Sequence, residues 1–183
     1  KLQNDSKINC FITDNSIGDG FKFYRLKDSD GYYFTVDDDL IYPPGYADFM
    51  IEKYNYYKRQ YIVTLHGRTF FQYPVDSYYR SQHHNNRCLG TVLNDVYVHF
   101  GGTGVMMFHT DLLKFDYNDI KHPNMADIWL AKFAAEKNIK IVCLAHNQGY
   151  LGYQVEVGKN TIFDEFAYND KTQTKLANTI KFI

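Results

Sequence analysis

Gly31-Tyr32-Tyr33-Phe34-Thr35-Val36-Asp37-Asp38-Asp39-Leu40 joins an aromatic and β-branched run to three consecutive carboxylates. Such a run predicts a buried strand, and the carboxylates fall at its C-terminal end. In open α/β sheets ligands gather in the crevice beyond the carboxyl ends of the strands. Acidic residues there are placed to meet a substrate together with a hard cation. A local reading stands beside this one: Asp favours turns on its own account, and the loop-like Tyr42-Pro43-Pro44-Gly45 follows, so the cluster can also be a solvated acidic turn.

Outward from this stretch the chain alternates. Phe49, Met50, Tyr54 and Tyr57 give residues 46–60 the spacing of an amphipathic helix, and residues 61–65 read as the next strand. Strand, helix, strand is the rhythm of an α/β layer. Upstream, residues 7–12 alternate as a short strand, 13–20 form a polar loop, and 21–27 a brief helix before the turn at Asp28-Ser29-Asp30-Gly31. Downstream, residues 66–86 are irregular, polar and aromatic, and a loop of that length reads as a lid or acceptor-facing segment. Residues 87–100 predict two strands about a turn at Asn94-Asp95. Gly101-Gly102-Thr103-Gly104 then lets the backbone pass close to a ligand, or makes a bulge or tight turn, ahead of the apolar Val105 to Phe108. Asn124 is the expected N-cap of a helix reaching Asn138, with Met125, Ile128, Trp129, Phe133 and Ala134 on its apolar face. Residues 139–145 predict a buried strand. The tail carries two amphipathic helical stretches, one with Ile162, Phe163 and Phe166, the other with Leu176, Ile180 and Ile183.

The 183 residues suit a single domain, 1–183, with a substantial core. The 17 Tyr and 14 Phe exceed what such a core requires, and surplus Tyr often lines sites that stack on sugars or bases. A formal net charge of −1 and the lack of any Lys or Arg block give no footprint for nucleic acid or a membrane surface. No run of apolar residues is long enough to span a bilayer, so no transmembrane segment is expected. Cys10, Cys88 and Cys143 lack metal-ligand spacing and lie mostly in apolar runs. They point to reduced core thiols and a cytoplasmic setting. No signal peptide is visible, and a start at Lys1 rather than Met leads us to expect that a preceding segment has been removed or left out.

Five short pieces, in this order, carry a resemblance: Gly18-Asp19-x-x-Lys22-Phe23, Tyr33-Phe34-Thr35-Val36-Asp37-Asp38-Asp39-Leu40-Ile41-Tyr42-Pro43, His66-Gly67, Gly102-Thr103-Gly104-Val105, and Met125-Ala126-Asp127-Ile128-Trp129. Together they resemble a GT-A glycosyltransferase of the family-two type, as in bacterial capsule and large-virus sugar transferases. The resemblance implies an α/β, Rossmann-like mixed sheet flanked by helices, here without the opening strand and helix that help hold uracil. It implies a hexosyl- or deoxyhexosyl-transferase moving sugar from a nucleotide-diphosphate donor, with UDP-sugar favoured, to a glycan hydroxyl.

On this resemblance Asp37 and Asp39 form a DxD pair for Mn²⁺ or Mg²⁺, with Asp39 the direct ligand and Asp37 sharing the metal or binding ribose. Asp38 would contact the sugar or act as a turn acceptor. Asp19, Lys22, Gly102 and Thr103 would face the donor, Lys22 as a point charge on phosphate; the alternative for Asp19 and Lys22 is a surface pair on one helical face. Asp127 would be the general base of an inverting enzyme or a positioning acid of a retaining one, and it can instead cap its own helix. His146 is a candidate late metal ligand and His109 a candidate contact to the diphosphate, although a lone histidine is more often structural. His83 and His84 read as solvated. Two other functions remain open: a sugar nucleotidyltransferase, and a non-enzymatic Ca²⁺-dependent carbohydrate-binding module.

Overall fold

The computed structural model describes residues 6–154, 166 and 168–182. It is a mixed α/β structure whose strands form three sheets. The expected buried strand over 32–36 is instead an edge strand, β1 (Tyr32–Val36), in which Thr35 alone is buried while Tyr32 and Val36 are exposed, because a neighbouring strand covers only one of its sides. The other strands are β2 (Leu40–Ile41), β3 (Ile62–Thr64), β4 (Gly67–Phe70), β5 (His83–Asn86), β6 (Val96–Val98), β7 (Phe100–Gly101), β8 (Val105–His109), β9 (Ile141–Cys143) and β10 (Gly152–Tyr153). The principal sheet has five strands in the order β1-β8-β3-β9-β6. β8 runs antiparallel to both β1 and β3, β3 and β9 are parallel, and β6 is antiparallel to β9. β1, β3 and β9 therefore point the same way, and their carboxyl ends share one edge. A second sheet orders β5-β4-β7, and β2 pairs with β10.

Side-chain alternation along β1 divides its two faces. Tyr32 and Phe34 meet the helix α1 (Tyr46–Tyr56) through the Tyr32–Tyr54 and Phe34–Tyr46 ring pairs. Tyr33 instead stacks on Phe23 of the 3-10 helix Gly18–Phe23, and its hydroxyl donates to the Lys22 carbonyl at 2.8 Å. α2 (Ala126–Glu136) packs on that 3-10 helix, on β7 and on α3 (Lys171–Ala177). The buried apolar residues form one cluster, with Ile62, Val63, Met106, Met107, Phe108 and Leu144 fully enclosed at its middle.

Several expectations are corrected. Residues 8–15 form no strand. The expected helix over 21–27 is two 3-10 turns, Gly18–Phe23 and Leu26–Asp28. α1 stops at Tyr56 rather than Gln60, because Lys58 and Arg59 adopt left-handed φ values of 54° and 61°. The segment 66–86 is not wholly irregular: β4 and β5 pair antiparallel within it, so His83 and His84 lie on a strand. His84 is exposed as expected, whereas His83 packs edge-on against Phe70. Residues 87–95 contain no strand, and only β6 and β7 form before Gly102. Asn124 has φ 57° and does not cap α2; Met125 holds the N-cap position. Cys10 is exposed, Cys88 half-buried and Cys143 buried, all as free thiols. Of the first tail helix only Phe166 is described, and Ile183 also lies outside the described residues. No helix among the described residues is long and apolar enough to cross a membrane.

Candidate functional site

Asp37, Asp38 and Asp39 make the turn between β1 and β2, at the edge where the parallel strands end. Alternation along β1 carries Asp37 onto the same face as Tyr33, toward the 3-10 helix, and there it forms an ion pair with Lys22. Tyr42 ties the turn to the glycine-rich segment: its oxygen accepts from Asp37 N at 2.8 Å, and its hydroxyl donates to Gly104 O at 2.5 Å. Burial pushes the Tyr42 phenol up to about 12, so it remains a donor at neutral pH. The bare backbone of Gly104 is what leaves room for the Asp37 carboxylate. A Cβ there would lie 1.8 Å from Asp37 Oδ2, far inside van der Waals contact. Gly102 likewise leaves room for His66, since its Cβ would lie 2.7 Å from the Cβ of His66.

His66 forms the floor of this corner. Gly102 N donates to its carbonyl at 2.8 Å, and Nδ1 is the acceptor for Cys88 N at 3.4 Å. Burial pushes the imidazole down to about 4, with repulsion from Arg68 and Arg87 adding to the effect, so the ring is neutral at physiological pH. Cys88 is half-buried nearby, its thiol pushed up first by burial and then by the charges of Asp37 and Asp39.

A second group of residues gathers at the start of α2. Both carboxylate oxygens of Asp19 accept from Ala126 N, at 3.2 and 3.3 Å, so the helix is capped by a residue distant in sequence. Burial and then the charge of Asp127 push Asp19 up to about 7, against the opposing pull of Lys22 and Ala126 N. Asp127 receives the Tyr78 hydroxyl on Oδ2 at 2.5 Å and Ile128 N on Oδ1 at 2.9 Å. Asp19 is the joint between the two groups, because its carboxylate sits on Ala126 N at the start of α2 while its own 3-10 helix carries Lys22, the partner of Asp37.

The structure thus brings together Asp19, Lys22, Asp37, Gly102 and Asp127. Thr103 is buried beside them in sequence, between Gly102 and Gly104. Lys22 and Asp19 are not a surface pair on one helical face; each turns to a different partner. Asp38 and Asp39 are exposed, and the Asp39 carbonyl accepts from Gln154 N at 2.8 Å. His109 is not brought to this corner: it pairs with Tyr32 at the opposite end of β1, and its Nδ1 lies 3.2 Å from Asp111. At a rise of about 3.3 Å per residue, the length of β1 separates it from Asp37. His146 is buried, with Nδ1 at 2.8 Å from Leu144 O and Nε2 at 3.3 Å from Arg87 O, so both ring nitrogens face carbonyls. Sequence reasoning assigned no role to Tyr42, Arg68, Tyr78 or Cys88. The signal for His66 was the His66-Gly67 piece itself; in the fold Gly67 pairs with Gly101 across β4 and β7, and Gly102 N donates to the His66 carbonyl.

No group of three or more His, Cys, Asp or Glu side chains among the described residues is arranged to hold a metal. What Asp37 and Asp39 offer is hard oxygen donors at an open edge. That donor set fits Mg²⁺ or Mn²⁺, which take one or two carboxylates and complete their shell with water and substrate phosphates, and it does not fit a cation caged by protein alone. No protein-family profile matches the chain, and no curated protein sequence matches it.

Proposed function

We propose that this chain is a metal-dependent glycosyltransferase module of the GT-A type, transferring a hexosyl or deoxyhexosyl group from a nucleotide-diphosphate sugar, UDP-sugar foremost, to a glycan hydroxyl. The observation that carries the reading is the fixing of Asp37 by Lys22, Tyr42 and Gly104 at the carboxyl end of β1, with Asp127 in the first turn of α2, the helix whose start Asp19 caps. The order of the principal sheet supports it as well, with β1, β3 and β9 running alike, β8 reversed between β1 and β3, and β6 reversed at the far edge.

In this reading Asp37 and Asp39 are the residues that would hold Mn²⁺ or Mg²⁺. A divalent cation there supplies charge neutralisation as the nucleoside diphosphate departs. Lys22 adds a second positive charge, and the anionic donor competes with Asp37 for it. Gly102 and Gly104 leave the wall bare of side chains, so the donor lies directly against backbone. His66, neutral, packs against Gly102 in that wall. Asp127 faces the acceptor hydroxyl and takes its proton, or orients it, according to the stereochemical course.

Calorimetric titration with UDP tests the reading. Binding is expected with Mn²⁺ or Mg²⁺ and is lost on chelation, and Asp39→Ala weakens it by at least about tenfold. If Asp39→Ala bound UDP in the presence of Mn²⁺ as tightly as the parent, the proposed metal site would be wrong. Pyrophosphate release from a nucleoside triphosphate and a sugar phosphate would instead identify a nucleotidyltransferase.

A further inference from the structure

The segment between β4 and β5 carries Tyr78, whose side chain is 2% exposed. The Arg68 guanidinium stacks on its ring at 4.7 Å and donates to its carbonyl at 2.7 Å, while the rings of Phe100 and Phe70 close in at 5.2 and 5.8 Å. The hydroxyl reaches Asp127 Oδ2. What holds this loop is α3 and its flanks. Asp170, Thr174 and Asn178 recur every four residues and so share one helical face. Asp170 Oδ2 accepts from the Ser77 hydroxyl at 2.6 Å and from Tyr79 N at 2.8 Å; Thr174 Oγ accepts from Tyr78 N at 2.9 Å. Asn178 closes a two-way pair with Val75, accepting from its N and donating to its O, both at 2.8 Å.

One face of α3 thus answers the polar groups of the loop from Val75 to Tyr79, and the result is a tyrosine oxygen fixed on one carboxylate oxygen of Asp127. We propose that Tyr78 is a positioning residue for Asp127, and that α3 is the splint that sets it in place. This rests on the reading of Asp127 as the carboxylate that serves the acceptor. An aspartate without such a partner turns freely about its side-chain torsions. With Oδ2 held by Tyr78 and Oδ1 by Ile128 N, the carboxylate plane is fixed, and a lone pair remains on each oxygen for the incoming hydroxyl. Orientation of this kind governs the rate of the chemical step rather than donor binding.

The test uses Tyr78→Phe, Asp127→Asn, their combination, and Thr174→Val. In the parent, the buried Tyr78 hydroxyl proton exchanges slowly and gives a downfield proton resonance. That resonance is absent in Tyr78→Phe and displaced in both Asp127→Asn and Thr174→Val. With Mn²⁺ and a panel of UDP-sugars, Tyr78→Phe lowers kcat for donor hydrolysis by about ten- to a hundredfold, the range for one hydrogen bond to a charged group. Donor KM and the Kd for UDP with Mn²⁺ stay at parental values, and Tyr78→Phe slows the Asp127→Asn enzyme no further. Thr174→Val lowers kcat in the same direction. A parent without the resonance overturns the proposal, as does parental kcat in Tyr78→Phe beside an impaired Asp127→Asn, or an equal slowing by Tyr78→Phe in both backgrounds. Full activity in Asp127→Asn, or a parent that hydrolyses no nucleotide sugar while the resonance is present, overturns the catalytic reading of Asp127 and reduces the Tyr78 contact to architecture.

Discussion

Replacing Gly104 by alanine adds one methyl group at the most crowded point of the site. The new carbon would stand 1.8 Å from Asp37 Oδ2 and 2.4 Å from its Cγ, whereas carbon and its neighbours settle at about 3.5–4.0 Å. No φ strain is involved, because Gly104 does not occupy the left-handed region. The backbone can stay, and the Asp37 carboxylate must take another rotamer. Leaving its place separates it from Lys22. Those two side chains are 39% and 23% exposed, so solvent screening limits the loss to about 0–1 kcal/mol. For a chain of this length that is a fall in Tm of no more than about 2–4 °C. On the proposed metal site, binding responds differently, because displacing one of its two carboxylates would cost at least about ten- to a hundredfold in affinity. Differential scanning calorimetry and titration with UDP and Mn²⁺ on the same preparation separate these effects. Gly102→Ala is the contrasting control: its methyl meets the Cβ of His66, which cannot swing aside, so stability falls by about 1–3 kcal/mol. A Gly104→Ala protein that binds UDP with Mn²⁺ as the parent does would refute the reasoning, since Asp37 cannot keep its place beside the added carbon.

Gly67→Ala probes packing away from the carboxylates: its Cβ would lie 2.7 Å from both Val98 methyls. We expect a loss of about 1–3 kcal/mol in urea unfolding, while the folded protein keeps its UDP affinity. Asp19 gives a pH prediction. Its carboxyl is pushed up to about 7 from 3.8, so between these values the native state holds a proton that the unfolded chain has released. The stability from this group is full at acid pH and is lost as pH rises toward 7. Asp19→Asn removes that dependence, and urea midpoints taken across the interval show the variant gaining on the parent as pH increases. Parallel pH profiles for the two proteins would contradict the assignment.

Among the elements that sequence periodicity located, β3, β9 and α2 bury a continuous apolar face and α1 buries the stripe Tyr46, Met50 and Tyr54, whereas β1, apolar in composition, lies at a sheet edge and buries only Thr35. β5 was not legible because His83-His84-Asn85-Asn86 carries no apolar alternation; its strand state comes from pairing with β4. The cap of α2 was misread because Asn124 has the right chemistry next to the helix, yet the partner that answers Ala126 N is Asp19, brought there by the fold. At the site, the acidic turn and the glycine-rich segment could be picked out as a short motif each, and Lys22 as a cation preceding them. What local sequence could not express is which side chains meet. Lys22 chooses Asp37 over Asp19, Gly104 stands against Asp37, and Tyr78 reaches Asp127 across 49 positions.

The antiparallel ladder of β1 and β8 sets Val36 opposite Val105, so the chain enters β8 beside the point where it leaves β1. Gly104 and Asp37 each lie one residue beyond that pair, and their contact is the ladder continued past its last rung. A deletion of one residue within β1 would turn Asp37 to the face of α1 and set another residue against Gly104. Length is thus constrained here as tightly as composition. Insertions should be tolerated in the connections remote from this rung and rejected between Tyr32 and Asp37, a pattern that a scan of single-residue insertions would draw along the chain.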